Sequence, residues 1–443
     1  MSSQVSSESG KKLTHGRVWN IAGPIVLSNA TVPILGAVDT GVVGQMGAAA
    51  PIGAVGIGAA ILSAIYWIFG FLRMGTTGLA AQALGAGDKG EFVALLTRAL
   101  MIAAVAGLGT ILFQMAIFWG AFWVIPASDE VETLARSYLA IRIWSAPAAI
   151  AIYGVTGWLI AAERSRAVLV LQLWMNGLNI LLDLWFVIGL GWGVEGVAFA
   201  TFLAEWSGLA LGLWFCRAAF ADQAWRAWAK VFDRARLWHM AAINSHILLR
   251  SALLQSLILS FMVLGARFGD VPLAANQILL QFLMIASYAL DGFAYAGETL
   301  VGQAVGRRNR AEFRQAAWIS GLWGGIMAVV MTLAYALSSG LIIDAMTNAP
   351  EVREAARTYV TWVVFLPIVS VAAWMLDGVF IGATRTRDMA NMMVISIGLY
   401  FAALPILLPA FGNHGLWAAL LIGFAARGAT LAWKYPGLER SVA

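Results

Sequence analysis

The chain has 443 residues, 61% of them hydrophobic and only 12% charged, where a soluble domain carries about 25% charged residues. With a mean hydropathy of +0.80 it has too little polar surface for a water-soluble globule, and its single cysteine, Cys216, excludes an internal disulfide framework. The net charge of +5 does not point to nucleic acid, because the basic residues sit in short loops between apolar runs.

The first 16 residues are polar and lack the apolar core of a secretory signal, so the first apolar run is expected to serve as the insertion signal. A spanning helix needs about 20 mostly apolar residues. Twelve segments qualify: 18–43, 53–80, 92–118, 133–160, 167–190, 194–217, 238–265, 272–300, 315–339, 355–381, 389–410 and 414–434. The chain is therefore expected to be an all-α polytopic membrane protein of twelve transmembrane helices.

Loop charge orients these spans. One alternate set of connections carries Lys11, Lys12 and Arg17, then Lys89, Arg164 and Arg166, a basic cluster from Arg217 to Arg236, Arg307 to Arg314, Arg385 and Arg387, and finally Lys434 and Arg440. The other set is poor in Lys and Arg. Both termini are accordingly expected to be cytoplasmic. The polar, basic stretch 218–237 divides the spans six and six, giving an N-terminal lobe (1–217), a connecting segment (218–237) and a C-terminal lobe (238–443).

The two halves repeat one another. "AQALGAGDKGEF" at 81–92 aligns with "GQAVGRRNRAEF" at 302–313, an offset of 221 residues, and "GWLIAAERSR" at 157–166 aligns with "GVFIGATRTR" at 378–387 at the same offset. Copies six spans apart insert in the same orientation, and parallel repeats about an axis normal to the membrane are a transporter architecture. Pseudo-symmetric six-helix lobes are expected.

An ionisable side chain in the bilayer costs at least ~2.5 kcal/mol, which makes it a functional candidate. In the first half these are Asp39, Asp183 and Glu205. Asp39 lies about eight residues before the outer loop near Gly47, Asp183 about eight before Gly191, and Thr201 about eight after it. At 1.5 Å per residue all three sit roughly 12 Å below the outer surface. Asn179 precedes Asp183 by four residues and shares its face. Two carboxylates, an amide oxygen and a hydroxyl suit a Na⁺ ion. They equally suit a shared proton, since burial and a neighbouring like charge favour the protonated carboxyl. The alternative is a buried pair that only fixes helix packing. Pro24 and Pro33 share the first span with Asp39, and each removes a backbone hydrogen bond, so they are the expected hinge. Glu205 follows Thr201 by one helical turn and is expected to extend the polar network.

The second half has no equivalent of Asp39, because the offset lands on Ser260. Its secondary candidates are Asp291, Glu298 and Asp377, with Arg250 expected to form a buried ion pair with an acid. Arg73 is expected near the cytoplasmic end of its helix, where it can snorkel. No GxxxxGK[ST], HExxH or GxSxG pattern occurs, so neither ATP-driven transport nor a common hydrolytic enzyme is expected, and no cofactor is called for.

The segments "AVDTGVVGQMG" (37–47), "FLRMGTTGLAAQALGAGD" (71–88), "NILLDLWFVIGLGWGVEGVAFAT" (179–201) and "LDGFAYAGETLVGQAVGRRN" (290–309) resemble the multidrug and toxic compound extrusion (MATE) family, its DinF-like branch most closely. The resemblance covers all twelve spans. It implies two six-helix lobes in a V around a central cavity, working as an antiporter that exports bulky organic compounds, often cations. It also implies a first-lobe cation site whose members fall on Asp39, Asn179, Asp183 and Thr201, and a bending first helix with a proline matching Pro24. Other branches place coupling acids in the second lobe, where Asp377 stands here. The resulting expectation is a non-enzymatic, monomeric efflux antiporter of a bacterial-type inner membrane, exchanging H⁺ or Na⁺ for organic molecules and contacting membrane lipids. A lipid-intermediate flippase, an intramembrane enzyme and a passive channel are the rivals.

Overall fold

A computed structural model describes residues 13–46, 48–125 and 127–442; Lys11, Lys12 and Gly47 lie outside the described residues. All regular elements described are helical: α1 (His15–Gly44), α2 (Ala49–Ile68), α3 (Phe71–Gly85), α4 (Lys89–Leu112), α5 (Gln114–Val124), α6 (Asp129–Arg142), α7 (Ala146–Ala161), α8 (Ser165–Asp183), α9 (Gly193–Phe215), the short α10 (Arg217–Ala221) and α11 (Trp228–Val231), α12 (Arg234–Gly265), α13 (Asp270–Gly306), α14 (Arg310–Met346), α15 (Pro350–Gly382) and α16 (Thr386–Arg440).

Ten helical segments among the described residues are long and apolar enough to cross a membrane, with α2 and α3 forming one of them and α6 and α7 another. Helix α1 adds an eleventh, because its 30 residues reach about 45 Å, more than the ~30 Å hydrocarbon core. The 55-residue α16 leaves helical geometry at Gly412 (φ 55°, ψ −129°) and divides there. Twelve spans result, on the twelve apolar runs. Most helices extend a turn or more beyond those runs, since a capped backbone continues to satisfy its own hydrogen bonds past the apolar stretch.

Two compact units emerge. The first comprises residues 27–80 and 88–237; the second comprises 13–26, 81–87 and 238–442. Helix α1 thus gives its first turns to the second unit and the rest to the first. In the first unit α4 packs on α7, α8 on α9 and α2 on α6. In the second, α13 packs on α14 and α15. There Trp417 meets Phe261 edge-on at 4.7 Å and donates its indole N–H to Asn276 (2.9 Å), while Asn276 and Asn413 exchange amide hydrogen bonds at 2.8 and 3.0 Å. Asn276, Asn413 and Trp417 thereby supply one another the hydrogen bonds that a bilayer would not.

The 221-residue repeat reaches the backbone. Left-handed residues recur at that offset: Gly87 and Arg308 (φ 72° and 54°), Glu163 and Thr384 (57° and 53°), Gly191 and Gly412 (69° and 55°). After α7, Glu163 and Arg164 donate back to the carbonyls of Ile160 and Leu159. After α15, Thr384 and Arg385 do the same to Ile381 and Phe380. This helix-ending geometry usually takes glycine. The caps repeat too: Asp88 accepts from the Glu91 N–H (2.9 Å) and Asn309 from the Glu312 N–H (3.1 Å).

Within the second unit the two copies of the Gln-x-x-Gly motif interlock. A Cβ at Gly85 would overlap the carbonyl group of Gln303, and one at Gly306 would overlap that of Gln82. Gln82 donates to the carbonyl of Gly382 (2.8 Å) and to the Thr384 hydroxyl (3.1 Å), and Arg17 donates to Gln303 Oε1 (2.8 Å).

Candidate functional site

Asp39, Asn179, Asp183 and Thr201 come together in the first unit. Helix α8 presents Asn179 and Asp183 one turn apart, both buried, with Asp183 fully enclosed. A π-helical turn, Leu184–Gly189, begins directly after Asp183; such turns insert a residue into the helical ladder and re-aim what precedes them. The Asp39 and Asp183 carboxyls are within hydrogen-bond reach of one another. Asn179, with its amide turned as its neighbours require, donates to Asp39 Oδ1 (3.3 Å) and accepts from the Thr201 N–H (3.2 Å) and hydroxyl (3.0 Å). The Thr201 hydroxyl also lies 3.1 Å from the carbonyl of Val197. Helix α1 is tied to α8 one turn deeper, where Asn176 donates to Thr31 (2.8 Å) and Thr31 donates to the Ser28 carbonyl (2.7 Å). Pro24 and Pro33 flank that tie, and α1 runs unbroken through both.

Glu205 joins a different partner. Arg142, buried at the end of α6, donates to both Glu205 oxygens (2.6 and 3.2 Å) and to the Ser145 hydroxyl (2.6 Å). Tyr66 reaches the Arg142 carbonyl at 3.4 Å. The Arg142 charge acts on both Asp39 and Asp183, so the carboxyl pair sits beside a neutral ion pair one turn along α9. Sequence reasoning passed over Arg142, although the test that singled out Arg250, a charge inside an apolar run, applies equally to it.

In the second unit Arg250 pairs with Asp377, as expected. A second guanidinium, Arg427 on α16, pairs with the same Asp377 oxygen, and it too was missed. All three side chains are buried. Asp291 is half-buried on α13 and near enough for its charge to act on Arg427. Glu298 is buried on the same helix, where Gly382 of α15 approaches its backbone carbonyl. Ser260 occupies the place Asp39 holds in the first half and bonds Tyr400 (3.1 Å). One expectation fails. Arg73 does not snorkel: it is buried, at 7% exposed, on a helix whose backbone α7 approaches closely at Gly157.

The sequence matches the MatE family over residues 24–185 and 247–406. It is 38% identical to DNA damage-inducible protein F of Escherichia coli K12, across 94% of this chain and 91% of that protein. It is 25% identical to a probable multidrug resistance protein NorM of Xylella fastidiosa, across 94% and 90%. The fold is similar to that of the Vibrio cholerae MATE transporter VcmN in the bent form, with TM-score 0.86, 19% identity and 99% of both chains covered. With twelve spans, a two-fold internal repeat and a match across both halves, the chain belongs to the MATE family of multidrug transporters and is not an enzyme.

Proposed function

We propose that this protein is a proton-coupled antiporter that exports organic compounds from the cytoplasm. The observation that carries the reading is the Asp39–Asp183 carboxyl pair inside the spans. Two carboxyls in hydrogen-bond reach need a proton or a cation between them. A proton shared between the two carboxyls needs only one free lone pair and relieves their mutual repulsion. Protonation from outside shifts the balance between outward-open and inward-open states, and substrate leaves against it. Pro24 and Pro33 supply the bend in α1 that such a shift uses.

The substrates are bulky organic molecules, in keeping with the relatives named as multidrug resistance proteins. The basic loops orient both termini to the cytoplasm of a bacterial-type inner membrane, and the protein works as a monomer. Efflux of a fluorescent organic cation from proteoliposomes, under a pH gradient or a Na⁺ gradient imposed separately, tests this. The pH gradient alone should drive transport, and Asp39→Asn should abolish it. Efflux driven only by Na⁺ would reverse the ion assignment. Lipid movement with neither gradient would favour a flippase.

A further inference from the structure

The connecting segment does more than join two halves. Arg98 of α4 is 2% exposed and donates to the carbonyls of Lys230 (2.6 Å) and Val231 (2.9 Å) and to Glu91 (2.6 Å). Lys230 pairs with Asp88 (2.7 Å), and Arg236 pairs with Glu91. The Asp88 carboxyl is held below its ordinary value: burial alone would raise it, but the hydrogen bonds from Lys230 and the Glu91 N–H, with the charges of Lys230 and Arg236, outweigh that. The segment is thereby fastened along α4, and the fastening leaves a groove of about 360 Å³ beneath it. Met101 and Val105 of α4 form one wall, and Val231, Phe232 and Leu237 the other. Apart from the spoken-for Arg98 the lining is apolar.

The groove has unlike ends. One opens at Val105, which is 73% exposed on the apolar flank of α4. The other lies under the connecting segment, where Arg217, Arg226 and Arg234 remain once Lys230 and Arg236 have paired with Asp88 and Glu91, against Asp222 and Asp233. Trp228 stacks on Phe232 (5.9 Å) with both exposed, and Arg226 lies over Trp225 at 4.3 Å, the amphipathic pattern of a headgroup boundary. A soluble anion would not use the apolar wall, and an uncharged hydrocarbon would not use the basic end. We propose that the groove holds an acyl chain of an anionic phospholipid, with its phosphate among the surplus cations of the connecting segment. This lipid is a bound partner of the first unit, and the proposal is independent of which ion drives transport.

Native mass spectrometry of the full-length protein, released from detergent containing equal phosphatidylglycerol and phosphatidylcholine of matched chains, tests it. Phosphatidylglycerol should be retained at least fivefold over phosphatidylcholine. Ala106→Trp, which fills the groove, should lose the retained lipid. Arg226→Gln with Arg234→Gln, both exposed positions, should level the two lipids while leaving the melting temperature unchanged; this pair keeps the test decisive if the tryptophan variant does not fold. Equal retention of both lipids by the unaltered protein would overturn the proposal. So would displacement of phosphatidylglycerol by glycerol phosphate, which would reduce the site to an anion contact without a groove.

Discussion

Glu205→Gln should destabilise the protein severely, and removing its partner as well should restore most of the loss. The Arg142–Glu205 pair is buried, with side-chain exposures of 8% and 13%, and two oxygens of Glu205 serve one guanidinium. Deleting only the carboxylate charge leaves Arg142 enclosed beside Tyr66 and Tyr138, which costs about 3–5 kcal/mol. Arg142→Met with Glu205→Leu removes both charges together. A buried pair exchanged for apolar groups of similar volume is often neutral, so the double variant should lie within about 1–2 kcal/mol of the unaltered protein. Unfolding by heat or SDS, followed by tryptophan fluorescence, measures this. The double variant also leaves the net charge beside Asp39 unchanged, so proton-driven efflux per folded molecule should persist. A Glu205→Gln variant as stable as the parent, or a double variant less stable than either single one, would refute the reasoning.

Gly85→Ala should cost about 2 kcal/mol or more, because its Cβ would overlap the Gln303 backbone carbonyl, which cannot step aside. Gly325→Ala in α14, where nothing lies within 4 Å, should be neutral or gain up to about 1 kcal/mol by the same unfolding assay. Arg308→Gly should stabilise by about 1 kcal/mol, since Arg308 holds φ 54° where the other repeat uses Gly87. The clamp on the connecting segment should depend on acid: Asp88 is depressed below 3.8, so its contribution is present above that value and lost as pH falls through the lower folded one. Protease cleavage within 218–233 should rise in that window, and Asp88→Asn should show the acid-like rate at neutral pH.

The spans were legible because hydropathy is a property of the residues themselves, and the repeat because 81–92 and 302–313 still share Gln, Gly, Glu and Phe. The grouping of Asp39, Asn179, Asp183 and Thr201 was legible from depth, since a helix climbs 1.5 Å per residue. Depth is one coordinate of three. It could not tell that α8 would end in a π turn at Leu184–Gly189, that the Asn179 amide would give its N–H to Asp39, or that Glu205 would turn to Arg142. Those depend on rotation about each helix axis, which neighbouring helices set. Arg73 shows the same limit, because burial of its side chain depends on the helices packed around it.

The acids of the two units differ in what already holds them, and this bears on where the proposed coupling proton would bind. Asp377 is 5% exposed and faces the guanidinium groups of both Arg250 and Arg427. A cation arriving there would have to displace an arginine that cannot give up its own charge. Asp39 and Asp183 instead face each other, and a proton relieves their repulsion. Asp377→Asn should therefore leave two enclosed guanidinium groups and cost about 3–5 kcal/mol, while the surviving folded fraction keeps gradient-driven efflux. Asp39→Asn should be neutral or stabilising, because it removes one of two like charges, yet abolish efflux. Melting and proteoliposome transport on both variants decide the matter: a stable Asp377→Asn protein that no longer couples to the pH gradient would move the coupling site to the second unit.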